Sequence, residues 1–198
     1  MRILIITPML KEFHCAREVF GAKEESLFSD YRFASASRKG QEVHLLQCGF
    51  DPEGSLELYW KHFSGADCLF DSGSCGSLVE GITVGDVYSI HSVVRPGDDQ
   101  IMLMPPDSGL PSAGIVETGG AVDSEKARKK MAVYAELCSM ESYRACLFAR
   151  DKGIDFMSFR VVTDRADGSM KEDFRKNLRP ACQKLYRFLR TFTENLSH

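Results

Sequence analysis

The stretch Ile3-Leu4-Ile5-Ile6-Thr7-Pro8 decides the fold class. Four consecutive apolar residues, three of them β-branched, do not alternate with polar ones. That is the pattern of a strand covered on both faces. Thr7-Pro8 breaks the run, and residues 12–20 follow as a helix with Phe13, Ala16, Val19 and Phe20 on one side, ended by Gly21. Working outward, strands and helices continue to alternate. Strands are expected over residues 26–34 and 42–48, on either side of the turn Lys39-Gly40, and over 67–71, 85–94, 101–104, 115–117, 135–140 and 156–163. Helices are expected over 55–63, over 124–134 with Asp123 as cap, over 141–152, and over 170–192, which Pro180 should kink or split. Continuous apolar strands separated by helices imply one α/β domain spanning residues 1–198. The expected form is a three-layer αβα sandwich around a central, mostly parallel or mixed sheet.

Composition narrows the function. Hydrophobic residues make up 43% and charged residues 27% of 198, which excludes a disordered tail or a collagen-like fibre. Lys and Arg number 25 against 28 Asp and Glu, a net charge of −3, which argues against a general nucleic-acid binder. The basic stripe Arg175, Lys176, Arg179, Lys184, Arg187 and Arg190 therefore reads as a solvated helix face. The apolar run at residues 3–10 ends at Lys11 and is too short to span a bilayer, so a cytoplasmic protein without a membrane partner is expected. Seven cysteines, an odd number without a C-x-x-C pair, read as reduced, buried thiols. The five histidines show no zinc spacing, and no metal or organic cofactor is expected.

In open α/β sheets, ligands bind beyond the carboxyl ends of the strands. After the first strand comes Glu12. After residues 67–71 comes Gly73-Ser74-Cys75-Gly76, read as a tight turn. Glu141 follows the strand ending at Met140, and Asp164 follows residues 156–163, with Asp167 close behind. One acid in such a place is commonly a helix N-terminal residue answering the dipole; three acids and a glycine turn at equivalent positions form a candidate site. Competing motifs fail. Gly73-Ser74-Cys75-Gly76-Ser77 is neither a nucleophile elbow nor a dinucleotide fingerprint, and no phosphate-binding G-x-x-x-x-G-K-[ST] occurs. Cys75 reads as a small buried thiol rather than a nucleophile, because no histidine partners it.

These motifs resemble a known family. Residues 1–13 with Met9 and Glu12, residues 71–76 followed by Val84-Gly85-Asp86, the pair Met140-Glu141, and Arg160-Val161-Val162-Thr163-Asp164-Arg165-Ala166-Asp167 look like the nucleoside phosphorylase superfamily. Within it they look most like the 5′-methylthioadenosine/S-adenosylhomocysteine nucleosidases. The resemblance covers the chain except for about residues 95–117. It implies that Glu12 activates water, that Ser74 belongs to the glycine-serine turn and that Met140 lies under the sugar. Glu141 would hold the ribose hydroxyls, and Asp164 would protonate the purine at N7. Met9, Gly76 and Thr163 would join the substrate-binding set, and the protein would be a homodimer with sites near the interface.

The implied chemistry suits these residue types. Breaking an N-glycosidic bond builds positive charge on the ribose and negative charge on the base. An aspartate in an apolar pocket keeps a proton to donate. A glutamate can take the proton of attacking water, as in inverting glycoside hydrolysis. The implied activity is an N-ribosyl hydrolase acting on a purine nucleoside; the alternatives are a phosphate-dependent phosphorylase, a futalosine hydrolase and a catalytically silent nucleoside binder. Asp71 and Asp51 stand where a phosphorylase would need to welcome a phosphate, which favours water as nucleophile. Arg95 and Arg165 are the candidates that could hold a phosphate instead. The family's base-covering Ser-Gly-Asp segment with its aromatic residue reads here Thr118-Gly119-Gly120-Ala121-Val122, without the acid or the ring. Residues 95–117 are also shorter than usual in the family.

Overall fold

The computed structural model describes residues 1–25, 28 and 30–196. The elements in order are β1 (Arg2–Thr7), α1 (Leu10–Phe20), β2 (Lys23–Glu25), β3 (Phe33–Arg38), β4 (Gln41–Gln47), α2 (Pro52–Phe63), β5 (Cys68–Ser77) and β6 (Val87–Val94). They continue with β7 (Ile101–Met102), β8 (Ser112–Glu117), α3 (Glu125–Met131), β9 (Leu137–Ser139), α4 (Ser142–Lys152), β10 (Asp155–Asp164) and α5 (Met170–Asn195).

The opening strand behaves as its composition dictates. Ile3 and Ile5 pack with Phe13 and Phe20 of α1 and with Leu178, Leu185 and Leu189 of α5. Leu4 and Ile6 point the other way, onto Leu56 and Tyr59 of α2 and Phe148 of α4. All four are fully buried, each contributing roughly 1.5–3 kcal/mol. Helices thus cover both faces of one sheet, in three layers. The strand order is β10-β6-β8-β9-β5-β1-β4-β3-β2, with β7 on β6 and a further pairing of β10 with β5. The sheet is mixed: β4, β1, β5 and β10 run parallel through its middle, while β3–β4, β6–β10 and β5–β9 are antiparallel. The β10–β5 pairing closes β5, β10, β6, β8 and β9 into a ring.

Four local expectations are corrected. Gly73-Ser74-Cys75-Gly76 is not a turn but the second half of β5, whose residues pair with Arg160–Asp164 of β10. Glycine inside a strand marks close approach of other groups to the backbone, here those of the site. The strand expected over residues 26–34 is instead β2 and β3, which pair antiparallel; positions 26, 27 and 29 lie outside the described residues. α3 is capped by Ser124, whose Oγ accepts from Ala127 N–H, rather than by Asp123. α5 is not split: Pro180 sits on its exposed face within one continuous helix, where water can serve the carbonyl its missing N–H leaves free.

Candidate active site

The carboxyl ends of the parallel strands β1, β5 and β10 meet at one edge, and four acids gather there. Glu12 is the third residue of α1. Its Oε2 reaches back to accept from Met9 N–H (3.0 Å), supplying the cap that a methionine side chain cannot. Its Oε1 accepts from both the N–H and the Oγ of Ser74 (2.7 Å each), tying α1 to the middle of β5. The carboxyl is fully buried, and burial raises its pKa against these donors and the nearby Arg160.

Asp164 ends β10. Its Oδ1 accepts from Ala166 N–H and its Oδ2 from Thr163 Oγ1 (2.9 Å each). Ala166 holds a left-handed backbone, φ 51°, to make that contact. Asp164 is 5% exposed, and burial raises its pKa, the two donors opposing. Gly76 lies directly beneath: a Cβ there would stand 3.0 Å from Asp164 Oδ1.

Glu141 stands at the N-cap position of α4, its side chain turned away from the helix N–H groups. Its Oε2 accepts from Met140 N–H (3.0 Å), and its Oε1 lies 2.6 Å from Arg160 Nη1. That contact is an ion pair without hydrogen-bond alignment, and Oε1 is buried against the guanidinium. Burial pushes the Glu141 carboxyl up while Arg160 opposes it. Arg160, wholly buried, also donates from Nη2 to Asp71 Oδ1 and to Ser142 Oγ (2.8 Å), and Ser158 Oγ donates to Asp71 Oδ2 (2.8 Å). One cation thus faces Asp71 and Glu141 with Glu12 near by, and the charges of Asp71 and Glu12 add to the rise at Glu141.

A cavity of about 250 Å³ opens beside this cluster. Met9, Ser74, Gly76, Met140, Glu141, Thr163 and Asp164, all anticipated from sequence, line it. Glu12 does not line the cavity itself; it stands behind Ser74, which does. The remaining wall is largely apolar, with Phe50, Val122, Cys138, Met170 and Phe174, and none of the residues lining it is Lys or Arg. Among the described residues, no group of three His, Cys, Asp or Glu could hold a metal ion.

Several sequence readings change. Asp71 does not confront the cavity as a repulsive charge, because Arg160 holds it in the core. Asp51 is taken up by Arg144 (3.1 Å). Arg95 pairs with Asp98 and lies over the Tyr143 ring, and neither it nor Arg165 lines the cavity. The pairing of Arg160 with Asp71 was missed, although a signal existed: a buried charge in an apolar strand needs a partner.

No protein-family model and no curated protein matches the sequence. Solved structures do match in shape. A futalosine hydrolase mutant of Helicobacter pylori superposes with a TM-score of 0.87 at 17% identity, covering 99% of this chain and 100% of that one. The Helicobacter pylori 5′-methylthioadenosine/S-adenosylhomocysteine nucleosidase, complexed with a substituted pyrrolidin-3-ol, gives 0.88 at 17% identity with 99% of both chains covered. The Streptococcus pneumoniae nucleosidase, bound to a transition-state inhibitor, gives 0.86 at 18% identity over 100% of both. The chain has the fold of these nucleosidases and of futalosine hydrolase, which is the fold its sequence resemblance implies.

Proposed function

We propose that the protein is an N-ribosyl hydrolase that cleaves a purine nucleoside of the 5′-methylthioadenosine/S-adenosylhomocysteine type to free base and ribose derivative. The observation that carries this reading is the sharing of one cavity by Glu141 and Asp164, with Glu12 bonded to Ser74 in its wall. Asp164, whose hold on its proton burial strengthens, donates that proton to the base nitrogen N7 as the C1′–N9 bond breaks. The bonding electrons leave with the base. Water attacks C1′ and gives its proton to Ser74 Oγ as the serine's own proton passes to Glu12, the base that stands behind it. The Glu141 carboxylate accepts from the ribose hydroxyls and steadies the positive charge that develops on the ring. Met9 and Met140 offer soft apolar contact to sugar and substituent, and Val122 takes the place of an aromatic cover on the base.

Hydrolysis is favoured over phosphorolysis because no lining residue is cationic and Arg160 is matched by two carboxylates. In this reading the protein is cytoplasmic and acts as a homodimer, a state supported by Met102 and Met104, which lie 67% and 93% exposed on the short 95–117 segment. For localisation, the described residues include no helix long and apolar enough to cross a membrane. The test is a nucleoside panel containing methylthioadenosine, S-adenosylhomocysteine, futalosine, adenosine and inosine, with and without phosphate, read by free-base release. Adenine released from methylthioadenosine at the same rate without phosphate is expected. Release that requires phosphate makes the protein a phosphorylase, release only from futalosine makes it a futalosine hydrolase, and tight binding without product makes it a binding protein.

A further inference from the structure

Phe50 lines the cavity from the loop between β4 and α2, yet it is 45% exposed. What fixes this loop comes from α4. Arg144 Nη2 donates to the carbonyls of Phe50 and of Met140, both at 2.6 Å. Nη1 donates to Asp51 Oδ1 at 3.1 Å, and Nε to Glu117 Oε1 at 2.8 Å. Four of its five N–H donors are thereby used, in a planar fork that a lysine cannot reproduce. Glu117 is itself rigid. It is buried at the end of β8, and its Oε2 accepts from the backbone N–H groups of Tyr143 and Arg144 (2.8 and 3.1 Å). A fixed carboxylate thus aims a guanidinium that ties the backbone of Phe50 to that of Met140, next to Glu141, and both residues line the cavity.

We infer that Arg144 is a positioning residue that holds the 49–51 loop over the cavity, so that Phe50 closes on a substrate whose sugar lies against Met140 and Glu141. This rests on the proposed function for its substrate but not for its loop. Because the fork touches neither the acid nor the base, its loss should weaken substrate capture and leave the chemical step nearly intact.

The experiment compares wild type, Arg144→Ala, Arg144→Lys, Phe50→Ala and the double variant Phe50→Ala/Arg144→Ala. Amide hydrogen exchange is followed at residues 49–51, and kcat and KM are measured with methylthioadenosine. In Arg144→Ala, exchange at 49–51 should accelerate while β1 and β5 amides are unchanged. KM should rise roughly tenfold, the scale of one lost charge-assisted hydrogen bond, with kcat within about twofold. Arg144→Lys should fall between the two. In the Phe50→Ala background the Arg144→Ala change should raise KM far less, since both act through one ring. Should Arg144→Ala not fold, Arg144→Lys carries the same comparison. Unchanged exchange at 49–51, an equal KM effect in both backgrounds, or a fall in kcat with KM constant each overturns the inference. If wild type cleaves no nucleoside, the proposed function fails, and the exchange data still decide whether Arg144 holds the loop.

Discussion

A carboxyl group withdrawn from water holds its proton to higher pH, and both Glu12 and Asp164 are so placed. The proposed base works only when ionised and the proposed acid only when protonated. The kcat/KM profile should therefore be bell-shaped, with both limbs above the ordinary carboxylate range of about 4. Glu12→Gln and Asp164→Asn should each lower kcat by ~10²–10⁴, checked by adenine release with circular dichroism to confirm the fold. Stability at Asp164 should move the opposite way. Its raised pKa means the folded state binds more protons than the unfolded, so stability falls as pH rises from the unfolded value through the folded one. Asp164→Asn removes that loss and can still accept from Ala166 N–H. Its melting temperature should equal or exceed wild type at pH 7, with the difference vanishing below about pH 4. These acids were legible because each follows an apolar strand, where the sheet geometry puts ligands. That charges buried in the apolar strands at Asp71 and Arg160 need partners is legible too, but that they take each other is not, because it depends on strand register: β10 sets Ser158 opposite Asp71.

At the scale of elements, β5 is the informative case. Read locally, two glycines around Ser74-Cys75 signal a turn. Tertiary pairing with β10 overrides that, and the glycines serve instead to let side chains approach. A Cβ at position 73 would meet Arg160 Nη1 at 2.9 Å and Glu12 Oε1 at 3.1 Å, and one at 76 would meet Asp164 and Ala166, each at 3.0 Å. Gly76→Ala should thus displace the proposed acid: thermal unfolding should show a loss of about 1–3 kcal/mol, and turnover should drop further than stability alone explains. The helices were easier to read. Their apolar spacing and terminal glycines show in the sequence, and α1 and α4 each end on a glycine with left-handed φ, Gly21 and Gly153. The short strands β2, β7 and β9 lack a pattern long enough to fix their ends.

Across the whole molecule, Arg160 joins β5, β10 and α4 through Asp71, Ser142 and Glu141, all in the core. Removing one partner strands a buried charge. Asp71→Ala should cost ~3–5 kcal/mol, measured by urea unfolding of wild type and variant. The three layers followed from β1 alone, whose alternate side chains serve two helical layers. The closure of five strands into a ring did not, because it rests on β10 meeting both β5 and β6, strands far from it in sequence. This order has a consequence for synthesis. The proposed base belongs to α1 and the proposed acid to β10, and they become neighbours only when β10 docks beside β5. A nascent chain still lacking that strand has a base without an acid, so activity arises only after nearly all of the chain has emerged and its final parallel strand has docked.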